Sequence, residues 1–216
     1  MRIRPPSNFR QDLSREAQLG RSLDPCYERA FTASDYQIRR VTDRSMQQKG
    51  VDLILHRGDR QFFVDEKAQL DYLNKSLPTF AFELSYLKRG AWRTGWLLDP
   101  QKQTDIFFLI TSIFPTDPSD LSRGLQRVRV TGVYRRQLVN LLKNKGLDDH
   151  RLYEIDRDLR QQNLVGHQSI SELNARKEGA VYFSKNNKNE QPVNLVLKLD
   201  FLIRSGVARD LFTLPA

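Results

Sequence analysis

The 216-residue sequence holds a single cysteine, Cys26, so no internal disulfide can form. No apolar run approaches the ~18 residues that a membrane helix needs, so a membrane is not expected as a partner. The basic segment Met1 to Arg10, with Pro5 and Pro6, is followed by no apolar stretch; a secretory signal is not expected, and the cytoplasm is the expected compartment. The chain has no GxxxxGK[ST] loop, no GxGxxG fingerprint and no GxSxG elbow, which argues against nucleotide hydrolysis, dinucleotide binding and serine-hydrolase chemistry. Its three histidines, His56, His150 and His167, lack metal-ligand spacing and cysteine partners, so zinc is not expected. No repeat or low-complexity tract is present.

Positive charge is what the chain has in excess. Lys and Arg number 35 against 26 Asp and Glu, for a net +9. Such a surplus favours polyanionic partners, because neutralising phosphates releases condensed counterions. Between Leu121 and Leu147 lie Arg123, Arg127, Arg129, Arg135, Arg136, Lys143 and Lys145, with no acidic residue among them. Apolar positions alternate with these charges, so the block belongs to folded chain rather than to a tail.

The pattern predicts a mixed α/β domain of the α+β type over residues 1–160, with a C-terminal appendage over 161–216 made of a strand pair and a short helix. Leu13 to Asp24 reads as a helix stopped by Pro25, with a further helical turn over Tyr27 to Phe31 and a strand near Tyr36 to Val41. Leu77 to Leu87 reads as a helix with Phe80, Leu84 and Leu87 on one stripe. Asp105 to Phe114 reads as an apolar strand, Arg127 to Thr131 as a further strand, and Val133 to Lys145 and Asp148 to Gln162 as helices. Val193 to Ile203 is a second apolar run, available as an interface for a homodimer or larger assembly, and a terminal helical turn is expected beyond it.

The segment from Gly50 to Gln69 carries the chemistry. Val51 to Leu55 and Gln61 to Lys67 read as two strands joined by a turn at Gly58-Asp59. If that turn sets the register, paired residue numbers sum to about 117, and Asp52 falls opposite Asp65. Alternation puts Asp65, Lys67 and Gln69 on one face and Glu66 on the other, where an ion pair with a helix is its expected role. Two carboxylates and a lysine brought together repel or pair at a cost. A divalent cation relieves that cost, since magnesium takes hard oxygen ligands from one or two carboxylates and keeps sites for water and phosphate.

Gly50-Val51-Asp52 followed by Asp65-Glu66-Lys67 resembles the PD-(D/E)XK, or restriction-endonuclease-like, nuclease superfamily, over about residues 10–150. The resemblance implies a mixed β-sheet flanked by helices, with Asp52 and Asp65 as metal ligands and Lys67 as a catalytic group. It also implies a glutamate on the helix before the sheet: Glu16, on the core-facing stripe with Leu19, Gly20 and Leu23, or alternatively Glu28. Val51 stands where the motif's proline would be. The activity implied is Mg²⁺-dependent endonucleolytic hydrolysis of DNA phosphodiesters, with Mn²⁺ as an alternative ion and 5′-phosphate and 3′-hydroxyl products. Gln69, Gln48, Lys49, Arg135 and Arg136 are the expected substrate-binding residues, with Gln47 beside them. The alternatives are an RNA-directed nuclease, or a catalytically silent nucleic-acid-binding or assembly subunit. Tyr72, Trp92 and Trp96 are candidates for base stacking or for core packing, and Glu83 for an ion pair or a site wall. Cys26 is expected to be structural.

Overall fold

A computed structural model describes residues 9–32, 34–185 and 190–214, with side chains from Leu13 onward. In chain order its helices and strands are α1 (Phe9–Thr32), β1 (Gln37–Arg40), α2 (Arg44–Gln48), β2 (Leu53–Arg57), β3 (Arg60–Ala68), β4 (Thr79–Lys88), β5 (Ala91–Thr94), β6 (Ile106–Pro115) and β7 (Leu125–Tyr134). There follow α3 (Arg135–Asn144), α4 (Asp149–Gln161), β8 (Gly166–Gln168), β9 (Gly179–Phe183), β10 (Val193–Lys198), α5 (Leu199–Arg204) and β11 (Ala208–Leu214). Among the described residues the chain is thus a mixed α+β protein with two sheets and five α-helices. No helix there is long and apolar enough to cross a membrane.

The strands divide between a six-stranded sheet, ordered β1-β2-β3-β6-β7-β11, and a five-stranded one, ordered β5-β4-β10-β9-β8. Each sheet anchors a separate compact unit. Among the described residues, one comprises 9–77, 103–134 and 209–214; the other comprises 78–102 and 135–208. The boundary expected near residue 160 does not coincide with this division. Residues beyond 161 share a sheet with β4 and β5, and β11 returns to the first sheet. Sequence order conceals this, because both sheets are assembled by long-range pairing.

In the six-stranded sheet, β1, β2 and β3 run antiparallel in succession and β3 pairs with β6 in parallel. α1 lays Leu19, Leu23, Tyr27 and Phe31 on the sheet face formed by Leu53, Leu55, Val64, Phe108 and Ile110. The Phe31 and Phe108 rings stack 5.8 Å apart, within 2° of parallel. That face continues the apolar stripe through Pro25, and the helix does not stop there as the sequence suggests. Proline costs a helix interior about 3 kcal/mol; burying Cys26, Tyr27 and Phe31 on the far side of it offsets that cost.

In the five-stranded sheet, 79–88 is a strand and not a helix. Phe80 and Phe82 are buried on either side of an exposed Ala81, which is period two; the stripe of Phe80, Leu84 and Leu87 fits helical spacing by coincidence. β10 is central, paired with β4 on one side and β9 on the other. Val193, Leu195 and Leu197 are therefore core residues, fully buried, and offer no surface for self-association. The expected terminal helical turn is replaced by α5 and then β11. α3 and α4 belong to this unit, so the helices expected to flank the first sheet reduce to α1 and the short α2.

Candidate functional site

The site begins with a turn that delivers Asp52. α2 starts at Asp43, whose side chain accepts from Met46 N at 2.9 Å, a normal N-cap. It ends in a Schellman arrangement: Gly50 N donates to Gln47 O at 2.9 Å, and Val51 N to Met46 O at 3.1 Å. Gly50 adopts φ 73°, which explains a glycine at the head of the motif. Gly50 O accepts from the buried Thr104 hydroxyl at 2.8 Å, and Lys49 O accepts from Gln103 N at 2.8 Å. The turn is thus tied to the chain that leads into β6.

β2 and β3 pair with Leu53 opposite Val64 and Arg57 opposite Arg60, the register that sums to 117. The ladder ends there: Asp52, just before β2, donates its N–H to Val64 O at 2.8 Å, one residue out of that register. Its carboxylate Oδ2 accepts from Glu66 N at 2.9 Å. Asp65 is 2% exposed; its Oδ1 accepts from Lys67 Nζ at 2.5 Å, and its Oδ2 is buried with no donor.

The electrostatics follow from that crowding. Burial first, and then the adjacent Asp65 carboxylate, push the Asp52 carboxyl up to about 7, against the opposing pull of Lys67. A protonated Asp52 can give Asp65 the hydrogen bond it otherwise lacks. Burial alone would lower Lys67, but the Asp65 and Asp52 carboxylates outweigh it and hold the ammonium above its ordinary value. Glu16 adds to the same effect. It is nevertheless exposed rather than core-facing, because it lies one turn beyond Leu19, past the edge of the packed stripe. Glu28, the alternative, is exposed and lines a different depression with Asp35 and Tyr36.

Glu66 points to the opposite face, as alternation requires. It accepts from the Tyr27 hydroxyl at 2.7 Å and pairs with Arg40 at 2.5 Å; Arg40 also pairs with Asp24 at 2.7 Å. Its strong partner is therefore a strand arginine, with the helix contributing a phenol. Sequence reasoning missed Tyr27 and Arg40, and no local signal marks them, since Tyr27 is 39 residues from its partner. Burial, and next the Glu66 charge, raise Tyr27 well above the usual phenol value.

The remaining expected contacts fare unevenly. Gln69 follows β3 directly, and its N–H donates to Ile110 O at 3.0 Å. Gln48 and Lys49 are exposed on the turn before Asp52, beside an exposed Gln47. Arg135 commits its guanidinium to Lys102 O at 3.1 Å and Asp99 O at 2.8 Å, so it braces its own unit instead of presenting a free charge. Arg136 is exposed. Arg129 and Lys145 are likewise engaged, with Asp210 and Glu178, each at 2.7 Å.

The basic block is also divided by the fold. Residues 9–77, 103–134 and 209–214, which carry the acid pair, hold 16 Lys and Arg against 15 Asp and Glu. Residues 78–102 and 135–208 hold 17 against 11. Cys26 is buried and its thiol faces Ser22 O at 3.4 Å, in keeping with a structural role. Among the described residues no group of three or more His, Cys, Asp or Glu side chains is arranged to hold a metal.

No family model, curated protein or solved structure matches the chain.

Proposed function

We propose that this chain is a divalent-metal-dependent nuclease that hydrolyses DNA phosphodiesters, with a restriction-endonuclease-like core in its acid-bearing unit. The observation that carries the reading is the approach of Asp52, just before β2, to Asp65 on β3, with a lysine against one carboxylate and a buried oxygen lacking any donor. A packed core gains nothing from that arrangement, since like charges at close range oppose folding. A mixed sheet with α1 packed against one face supports that reading.

Two carboxylates with an unsatisfied oxygen fit a hard cation such as Mg²⁺ or Mn²⁺, which needs only one or two protein oxygens. Asp52 and Asp65 would hold it. When bound, such an ion neutralises the paired carboxylates and polarises a scissile phosphate.

The chain's own residues supply the rest. Lys67 remains protonated beside Asp65, so it acts as a fixed cation for charge developing on the phosphoryl oxygens rather than as a base. Glu66 N orients the Asp52 carboxylate, while Tyr27 and Arg40 fix the Glu66 side chain on the far face. In this reading Glu16 modulates Lys67, on which its charge acts, and Gln69 contacts the phosphate. DNA as substrate rests on the net +9 and on exposed cations such as Arg123, Arg127, Arg136 and Lys143.

The test is cleavage of supercoiled plasmid by wild type and Lys67→Ala, in Mg²⁺, Mn²⁺ and EDTA. Metal-dependent nicking or linearisation that disappears in the variant supports the reading. Equal DNA binding by both proteins with no cleavage by either replaces it with a silent binding subunit. A matched RNA duplex cleaved in preference transfers the substrate to RNA.

A further inference from the structure

The unit without the acid pair carries most of the charge surplus, and its most exposed basic feature is the β4–β5 hairpin. Every residue from Lys88 to Thr94 is exposed. From Leu84 to Leu98 the sequence contains Lys88, Arg89 and Arg93 and no acid. Among the described residues no ion pair or side-chain hydrogen bond reaches these three cations. Tyr86, which pairs with Arg93 at the base of the hairpin, feels the charges of Glu83, Glu190 and Asp99 as well as that of Arg93.

The tip is built at a conformational cost. Lys88 pairs with Ala91 across a two-residue turn, and Arg89 and Gly90 both have positive φ, 52° and 77°. Such turns favour Asn-Gly, and arginine is a poor occupant of the first position. A cation placed there against backbone preference points to a use outside the fold.

Beside it stands Trp92, 49% exposed. The Arg160 guanidinium lies 3.6 Å from its ring centroid and closes one face. Arg160 is itself held by Asp156 at 3.0 Å, by Gln191 O at 3.1 Å and by the Ser85 hydroxyl. The indole is therefore a braced plate, covered by Arg160 on one side and about half exposed. Duplex nucleic acid offers a protein surface only base edges and phosphates, whereas an unpaired base offers a flat face to stack.

We infer that the β4–β5 hairpin binds single-stranded DNA, stacking an unpaired base on Trp92 while Lys88, Arg89 and Arg93 neutralise the flanking phosphates. The inference takes its polyanion from the nuclease reading but needs no catalysis, so it is tested in EDTA. Trp96→Phe leaves Trp92 as the only tryptophan. Its fluorescence is followed as a 15-nucleotide oligo-dT is added to the full chain, with a 15-base-pair duplex and oligo-rU as comparisons; wild type serves as the control for Trp96.

The expected result is saturable quenching by oligo-dT and little by the duplex. Trp92→Ala, followed by the anisotropy of a fluorescein-labelled oligo-dT because the indole signal is gone, should bind roughly tenfold more weakly than wild type measured the same way, as lost base stacking does. Removing the three cations should reduce the salt slope by about 2, at ~0.7 per phosphate contact on a single strand. Arg89→Asn suits the turn better than arginine, so it should keep or raise the melting temperature and still weaken binding. Quenching by the duplex as strong as by oligo-dT, tighter binding of oligo-rU, or unchanged affinity in Trp92→Ala and Arg89→Asn would each overturn the inference. None of these outcomes depends on whether the Lys67→Ala test finds a nuclease.

Discussion

The backbone N–H of Glu66 donates to Asp52 Oδ2 at 2.9 Å. The residue between Asp65 and Lys67 therefore uses its two ends differently. Its amide orients one carboxylate of the acid pair, while its side chain anchors the strand to Tyr27 and Arg40 on the opposite face. Positioning and anchorage in this hairpin are properties of one residue.

The acid pair should oppose folding when no metal is present. A carboxyl whose pKa is raised in the native state holds its proton more tightly there, so its contribution to stability falls as pH rises. For Asp52 the window runs from its ordinary value of 3.8 to about 7. Asp52→Asn should flatten that slope and stabilise the protein in EDTA at pH 8 by about 1–2 kcal/mol, while abolishing cleavage. Added Mg²⁺ should raise the melting temperature of wild type and leave the variant unmoved. A variant that is less stable than wild type throughout would remove the electrostatic argument.

Lys67 has two roles that substitution can separate. Lys67→Ala leaves Asp65 buried without its cation and should cost about 1–3 kcal/mol, tempered by the 27% exposure of the lysine side chain. Lys67→Arg retains the charge and should recover most of that stability, yet cleavage should stay at least a hundredfold below wild type, since a planar guanidinium cannot replace a compact ammonium. Denaturant melts set beside plasmid cleavage distinguish the two effects. Full activity in the arginine variant would reduce Lys67 to a charge.

Glu66→Gln preserves shape and keeps the amide that orients Asp52, but removes the anion facing Arg40. A loss of about 1–3 kcal/mol in urea unfolding is expected. Metal affinity, read by calorimetry on the folded variant, should be nearly unchanged. A large drop in affinity would mean that the Tyr27 and Arg40 bracing sets the acid pair's geometry.

Pro25 is exposed, but it lies inside α1. Pro25→Ala should restore the missing backbone hydrogen bond and stabilise the chain by about 1–3 kcal/mol, less if the helix is bent at that point. Thermal unfolding followed at 222 nm reports it. A destabilised variant would show that the proline fits a kink which the packing of Tyr27 and Phe31 requires.

The hairpin was legible in the sequence because everything that determines it is local. Gly58-Asp59 marks the turn, the turn sets the register that puts Leu53 opposite Val64, and the next residues along, Asp52 and Asp65, come close enough to interact. Four other features are not local. β4 contains enough apolar residues to satisfy helical and strand spacing alike, and only its pairing with β10, more than a hundred residues away, decides between them. Pro25 reads as a stop unless the apolar face beyond it is known to have a sheet to cover. Glu16 follows the periodicity of α1, but periodicity does not tell where the packed surface ends. Arg135 and Arg136 look alike in sequence; the first is withdrawn by carbonyls of the 97–102 turn that no pattern links to it.

The chain passes between its two units after Leu77, Lys102, Tyr134 and Ala208. Many multidomain proteins fold in the order in which they are synthesised, each domain closing before the next emerges. That route is closed here. The five-stranded sheet awaits Lys198 for its central strand, and the six-stranded sheet awaits Leu214 for its last edge. No single proteolytic cut releases either unit whole, and a translation arrest anywhere before β11 leaves β7 with an open edge. Dissecting the protein therefore requires splicing segments together, not trimming from an end.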